Sequence, residues 1–171
     1  MDFTRVIAGR ESIRSYDPTK PVEKAVLERV LDAGRGAPSA ANRQPWRFLL
    51  ISSREVLTQV RRSYQKPWFQ DAPHVLVVAG RTGEAWTRQD GWSSIETDLA
   101  IAMDHMILAA ENEGLGTCWV AAFEPSVLRS ALSLSSEDRV YAMTPLGYPR
   151  PGFAKKGKRE RKAATDVVRY L

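Results

Sequence analysis

Residues 37–48 read Ala37-Pro38-Ser39-Ala40-Ala41-Asn42-Arg43-Gln44-Pro45-Trp46-Arg47-Phe48, between a helix-like pattern and an apolar run at Phe48–Ile51. Amides and a hydroxyl crowd this stretch. Asn and Gln each offer donors and an acceptor, which suits a planar heterocycle with alternating N–H and C=O edges. Pro38 and Pro45 fix their own φ and bias the preceding residues towards extended backbone. The same composition also serves a plain helix-to-strand connection.

Outward from this loop, helices and strands alternate. Val22–Gly36 has the spacing of an amphipathic helix, with Val26, Leu27, Val30, Leu31 and Ala33 on one side and glycines at its end. Arg47–Ile51 reads as a short buried strand and Glu55–Tyr64 as a helix with Val56, Leu57 and Val60 inward. Val75–Ala79 is a β-branched strand, Arg81–Trp92 a polar loop with two tryptophans, and Thr117–Ala121 a further strand. Pro125–Leu132 reads as a short helix and Arg139–Leu146 as the last strand. Ser94–Glu113 is the central helix, apolar nearly all round between Leu99 and Ala110 apart from Asp104 and His105. Such a helix is buried on all faces, which a small domain achieves most readily with a partner chain on one side. The fold class expected is α+β, three layers (α/β/α) around a small central sheet. With 171 residues, no internal repeat and no linker-like segment, the chain is expected to form one domain, residues 1–171.

Near the N-terminus, Arg10, Ser12 and Arg14 alternate, so an extended backbone points all three to one side. Two guanidiniums flanking a hydroxyl make a phosphate site, or else a solvated charge stripe. The net charge of +5 invites a nucleic-acid reading, but residues 155–162 (KKGKRERK) hold six of the 25 basic residues and one of the 20 acidic ones. The excess therefore belongs to one tail segment. Apolar, strand-like sequence follows it (Ala163, Val167, Val168, Tyr170, Leu171), as a clamp docking beside other elements needs. Cys118 is the only cysteine and reads as a small buried hydrophobe; His74 and His105 are isolated, and no metal-ligand spacing occurs. The N-terminus lacks the apolar core of a secretory signal, and the run Leu99–Met103 falls far short of the ~20 residues that span a bilayer. These features, with the lone cysteine, predict a soluble cytoplasmic protein without membrane or nucleic-acid partners.

Taken together, the segments resemble the FMN-dependent nitroreductase family over nearly the whole chain. The resemblance is carried by Arg10-x-Ser12-x-Arg14, by Pro38-Ser39-Ala40-Ala41-Asn42-Arg43-Gln44-Pro45-Trp46, by Glu113-Gly114-Leu115-Gly116-Thr117-Cys118-Trp119-Val120, by Pro145-Leu146-Gly147-Tyr148-Pro149, and by the basic Arg159-x-Arg161-Lys162. One departure is Ala40, where the family usually has a second serine; a backbone N–H would have to replace that hydroxyl. The resemblance implies a mainly antiparallel sheet and an intertwined homodimer with sites shared between subunits. Residues 155–171 would form a C-terminal arm reaching the other subunit.

It also implies FMN as cofactor, NADH or NADPH as electron donor, and an electron-poor acceptor such as a nitroaromatic or a quinone. Arg10, Ser12, Arg159 and Arg161 suit the phosphate. Arg14 suits either the phosphate or the N1/O2 edge, where positive charge favours the reduced ring. Asn42 and Gln44 suit the pyrimidine or ribityl groups, and Pro38, Ser39 and Ala40 close backbone contact from the opposite subunit. The Val120-Ala121-Ala122 backbone resembles the stretch that offers an N–H to N5, or is a buried strand end. Trp86 and Trp92 are candidates to stack on a substrate, or to plug a dimer surface. No acid–base residue is expected, since the flavin performs the redox step. Dehalogenation, flavin fragmentation and ring dehydrogenation are the alternative flavin chemistries; a basic nucleic-acid-binding module is the alternative from another class.

Overall fold

The computed structural model describes residues 2–157 and 159–171. In chain order the elements are α1 (Phe3–Gly9), α2 (Lys24–Arg35), β1 (Trp46–Ile51), α3 (Arg54–Arg61), α4 (Pro67–Gln70), β2 (His74–Arg81), α5 (Ile95–Asn112), β3 (Gly116–Thr117), α6 (Pro125–Ala131), β4 (Asp138–Gly147) and α7 (Ala164–Val167). The strands form one sheet, ordered β1-β2-β4-β3, with every neighbouring pair antiparallel.

The period-2 alternation of β2 makes the three layers. Leu76 and Val78 pack with α2 and α5, together with Leu99, Met103, Met106 and Ile107. Val75 and Val77 turn the other way, onto Leu57 and Val60 of α3, Phe69 of α4 and Leu128 of α6. Both faces are covered, so the strand reads as an unbroken apolar run. A third cluster, Ile13, Tyr16 and Ala72, ties the segment after α1 to the sheet edge. Local signals agree with these placements. The Ser53 hydroxyl accepts from Val56 N–H at 3.3 Å at the start of α3, and Pro67 opens α4. Gly114, at φ +75°, ends the central helix while Leu115 N–H bonds Ala110 O at 2.8 Å. Gly147 sits where a Cβ would stand 2.5 Å from Cδ of Pro73, so the end of β4 can lie against the approach to β2.

Two expectations are corrected. The strand expected at Thr117–Ala121 is a two-residue pairing, β3, followed by a lone bridge from Val120 to Met143. Cys118 N–H donates to Thr144 Oγ1 at 2.9 Å, so a side chain takes the place of a ladder partner there. The tail beyond residue 162 is not strand: α7 and exposed backbone take its place, with Val167, Val168, Tyr170 and Leu171 exposed. The central helix is covered by its own chain on most sides but not all. Leu99, Ala102, Met103, Met106, Ile107 and Ala110 are buried, but a stripe one turn apart is left, with Thr97, Asp104 and Asn112 exposed and Ile101, His105 and Leu108 half-buried. The loop at 81–92 has local order, a 3-10 turn at Thr82–Glu84 and a Thr87–Ser93 bridge closing a small hairpin.

Candidate functional site

Arg10, Ser12, Arg14, Arg159 and Arg161 line one cavity of about 500 Å³, with Glu11, Phe153, Ala154 and Lys156. Two ends of the chain meet there. α1 stops at Arg10, whose N–H still bonds Val6 O at 2.9 Å, and the backbone turns extended. Ser12 then pairs in parallel with Thr117, and Ile13 N–H donates to Thr117 O at 2.8 Å, so β3 holds this segment straight. Buried Tyr16 locks it further by donating its hydroxyl to Ile13 O at 2.7 Å. Burial pushes that phenol well above its usual range, which keeps it a donor.

The tail crosses this segment and bonds to its own chain. Lys156 N–H donates to the Glu11 carboxylate at 3.1 and 3.2 Å. Lys155 Nζ donates to Gly9 O at 2.9 Å and pairs with Glu111 near the C-terminus of α5. Arg159 caps α1, donating to Ile7 O at 2.8 Å and Ala8 O at 2.7 Å. Among the described residues, none of Arg10, Arg14, Arg159 and Arg161 is in an ion pair. Arg14 lies over the Trp68 ring, 5.8 Å from its centroid, and so faces outward from the core. Four guanidiniums outside any ion pair among the described residues, two of them also bonded to backbone carbonyls, and a hydroxyl around one hollow are a donor set for a multiply charged oxyanion. A phosphate monoester fits them.

The second group of expected residues lies elsewhere. Pro38, Ser39, Ala40, Asn42 and Gln44 form a loop containing a 3-10 turn at Ala40–Asn42. Ala41, Asn42 and Gln44 all have positive φ, at 49°, 54° and 51°. Ser39 Oγ accepts from Gln44 N–H at 3.0 Å, and Gln44 Nε2 donates to Asn42 O at 3.2 Å. Ala40 N–H donates to Asp98 Oδ1 at 2.9 Å. The backbone donor expected to stand in for the missing serine is therefore engaged within the protein. Trp86 and Trp92 meet edge-on at 6.3 Å, and Ser94 N–H bonds Trp86 O at 2.9 Å, so this pair also belongs to the N-terminal end of α5. The phosphate-type cavity is tied to α5 at Glu111 and the loop at Asp98. At 1.5 Å per residue the two anchor points are about 20 Å apart along the helix.

After β3, Val120 uses both backbone groups on Met143, N–H to O at 2.8 Å and O from N–H at 3.0 Å, so its amide is not free for a ligand. Ala121 and Ala122 are exposed, and neither amide has a partner among the described residues. Ala122 borders a surface hollow with Tyr64 and Lys66; Tyr64 touches Trp68, at 5.7 Å between centroids, and Trp68 lies under Arg14. Sequence reasoning missed Asp98, Glu11 and Lys155. Asp98 left one faint signal, a carboxylate between Ile95, Leu99 and Ala102 on the buried side of the central helix.

The molecule is thus a three-layer α+β protein carrying a cationic, oxyanion-type cavity and a separate amide-rich loop. The Nitroreductase family model matches residues 7–66 and 54–148, and the chain belongs to that family. A Methanothermobacter thermautotrophicus protein provisionally named NADH dehydrogenase/NAD(P)H nitroreductase is 30% identical over 155 residues, covering 87% of this chain and 78% of that one. An iodotyrosine deiodinase from Thermotoga neapolitana is 24% identical, covering 82% and 84%. The crystal structure of a nitroreductase family protein from Clostridium difficile 630 is 32% identical and superposes with a TM-score of 0.90 over 99% of this chain and 98% of that one. A structure from Exiguobacterium sibiricum, in complex with FMN, shares the fold at a TM-score of 0.83 and 19% identity, over 100% and 98%. No helix among the described residues is long and apolar enough to cross a membrane.

Proposed function

We propose that this chain is an FMN-dependent oxidoreductase that takes electrons from NADH or NADPH and delivers them to a nitroaromatic, a quinone or a similar electron-poor small molecule. The observation that carries the reading is the set of arginines from both ends of the chain, none in an ion pair among the described residues, around one cavity. Bound FMN would supply the redox chemistry, accepting a hydride and passing it on. The chain's own residues bind and orient. Arg10, Ser12, Arg159 and Arg161 would hold the phosphate, and Arg14 the phosphate or the pyrimidine edge. The amides of Ala121 and Ala122 would face the ring. No side chain is needed as acid or base.

The reading includes a homodimer. The clamp and the loop are anchored about 20 Å apart along α5, which supports a site completed by a second copy whose loop would come to the first copy's clamp. The uncovered stripe of Thr97, Ile101, Asp104, Leu108 and Asn112 is a surface for that copy. Residues 155–171 would act as an arm of this single domain. Its first part clamps its own chain, and its exposed apolar end, Val167 to Leu171, is free to dock on the partner. A nicotinamide donor and a lone buried cysteine support a cytoplasmic location.

The deiodinase relative favours a second reading in which the same site reduces a halogenated aromatic. An anaerobic titration separates the possibilities. FMN-loaded protein should lose its visible flavin absorption on adding NADH or NADPH and regain it on adding a nitroaromatic or quinone. Recovery only with a halogenated phenol supports the second reading, and no flavin binding at all defeats both.

A further inference from the structure

Asp98 is 2% exposed and has no cation within salt-bridge distance among the described residues. A buried carboxylate without a counter-ion is costly unless donors satisfy it. Two do. Ser94 Oγ donates to Oδ2 at 2.7 Å, and Ala40 N–H donates to Oδ1 at 2.9 Å. The first turn of α5 adds the partial positive charge of a helix N-terminus.

The loop at the other end of the second bond has little else to hold it. Ala41, Asn42 and Gln44 occupy the left-handed region, which crowds a Cβ and which Asn tolerates best of the three. The loop's remaining hydrogen bonds are local: Asn42 N–H to Ser39 O, Arg43 N–H to Ala40 O, Gln44 N–H to Ser39 Oγ, and Gln44 Nε2 to Asn42 O. Among the described residues, the bond from Ala40 to Asp98 is the one hydrogen bond that joins Ser39–Gln44 to the rest of the chain.

We infer that Asp98 is a positioning residue for the cofactor: through Ala40 N–H it holds the strained Ser39–Gln44 loop in the shape that presents Ser39, Asn42 and Gln44 to FMN. The inference rests on the flavin reading. It also gives Ala40 a role, since its backbone donor serves the loop and the ligand contacts fall to its neighbours.

The test is FMN titration of the flavin-free full chain, followed by flavin fluorescence, in D98A, D98N, A40P and the double variant D98A/A40P. Ala40→Pro deletes the same N–H from the other end, and Ser39 already has the extended backbone (φ −142°, ψ 157°) that a following proline requires. It therefore stands in if D98A does not fold. Each of D98A and A40P should raise the FMN Kd roughly ten- to hundredfold, the range for a charge-assisted hydrogen bond. The double variant should bind no worse than the weaker single one, because both remove one bond. D98N keeps an acceptor for Ala40 N–H and offers its amide N–H to Ser94 Oγ with that bond reversed, so it should fall nearer wild type than D98A. Independently of FMN, the amides of Asn42 and Gln44 should exchange faster in D98A than in wild type. Wild-type affinity and wild-type exchange in D98A overturn the inference, as do additive losses in the double variant. Wild-type protein that takes up no FMN overturns the flavin reading instead.

Discussion

Arg10 shows how much one side chain can reveal about this site. It stands where α1 ends, half-buried, with its guanidinium in no ion pair and facing the same cavity as Ser12 and Arg159. Arg10→Ala should weaken FMN by roughly 1.5–3 kcal/mol, as for the loss of a hydrogen bond to a charged group, and leave the thermal midpoint of the FMN-free protein close to that of wild type. Isothermal titration checks the first and a thermal melt the second; unchanged affinity removes Arg10 from the phosphate. The alternation of Arg10, Ser12 and Arg14 was legible because an extended segment leaves a period-2 trace in sequence. Their meeting with Arg159 and Arg161 was legible only through the family resemblance, since nothing local records a contact between opposite ends of the chain. Asp98 was barely legible, its place on the apolar side of the central helix being the one trace it left. An acidic residue near the head of a helix looks the same whether it faces water or ties down a distant loop.

At the scale of elements, the sheet and its two helical layers follow from patterns that the sequence carries openly. β2 alternates between the two cores, and the apolar face of α2 points Val26, Leu27 and Val30 at α5. The edge was misread at Thr117–Ala121 because a largely apolar run with strand-forming residues looks like strand whether or not its amides find a ladder. Here the Thr144 hydroxyl intercepts one of them. The tail was misread for a related reason: Val167, Val168, Tyr170 and Leu171 have strand composition, but they stand exposed and join no strand of the sheet. Where two elements approach most closely, the prediction is sharp. Gly147 ends β4 against Pro73, with an added Cβ 2.5 Å from the ring's Cδ and 2.9 Å from its Cγ. A proline ring cannot rotate away, so Gly147→Ala must separate β4 from the start of β2 next to Tyr16. A loss of about 1–3 kcal/mol is expected, read as a lower urea midpoint at unchanged m-value. A variant as stable as wild type would mean that this contact is looser than the backbone geometry implies.

For the whole molecule, assembly and catalysis hang together. Ile101 and Leu108 lie half-buried on the stripe of α5 that its own chain leaves open. On the proposed homodimer, the wild-type chain should sediment as a dimer at micromolar concentration and Leu108→Asp as a monomer, and FMN affinity should fall with it because the loop and the clamp would no longer share a site. A stable FMN-binding monomer would contradict the shared site directly. Catalysis is the last and most exposed prediction. If one flavin face serves both the nicotinamide and the acceptor, the two half-reactions must alternate. Double-reciprocal plots at several acceptor concentrations should then be parallel, and each substrate should compete with the other for the enzyme form it does not reduce or oxidise. Arg14 decides where charge acts within that cycle. Its guanidinium lines the cavity of Arg10 yet rests on Trp68. If it faces the N1/O2 edge, Arg14→Leu slows flavin bleaching by NADH or NADPH in stopped flow, because charge developing on the ring loses its counter-charge. If it faces the phosphate, the same variant loses FMN affinity while the bleaching rate of the loaded enzyme stays near wild type. Loaded enzyme that neither NADH nor NADPH bleaches would refute the NAD(P)H reading outright and leave a different reductant acting at the same flavin site.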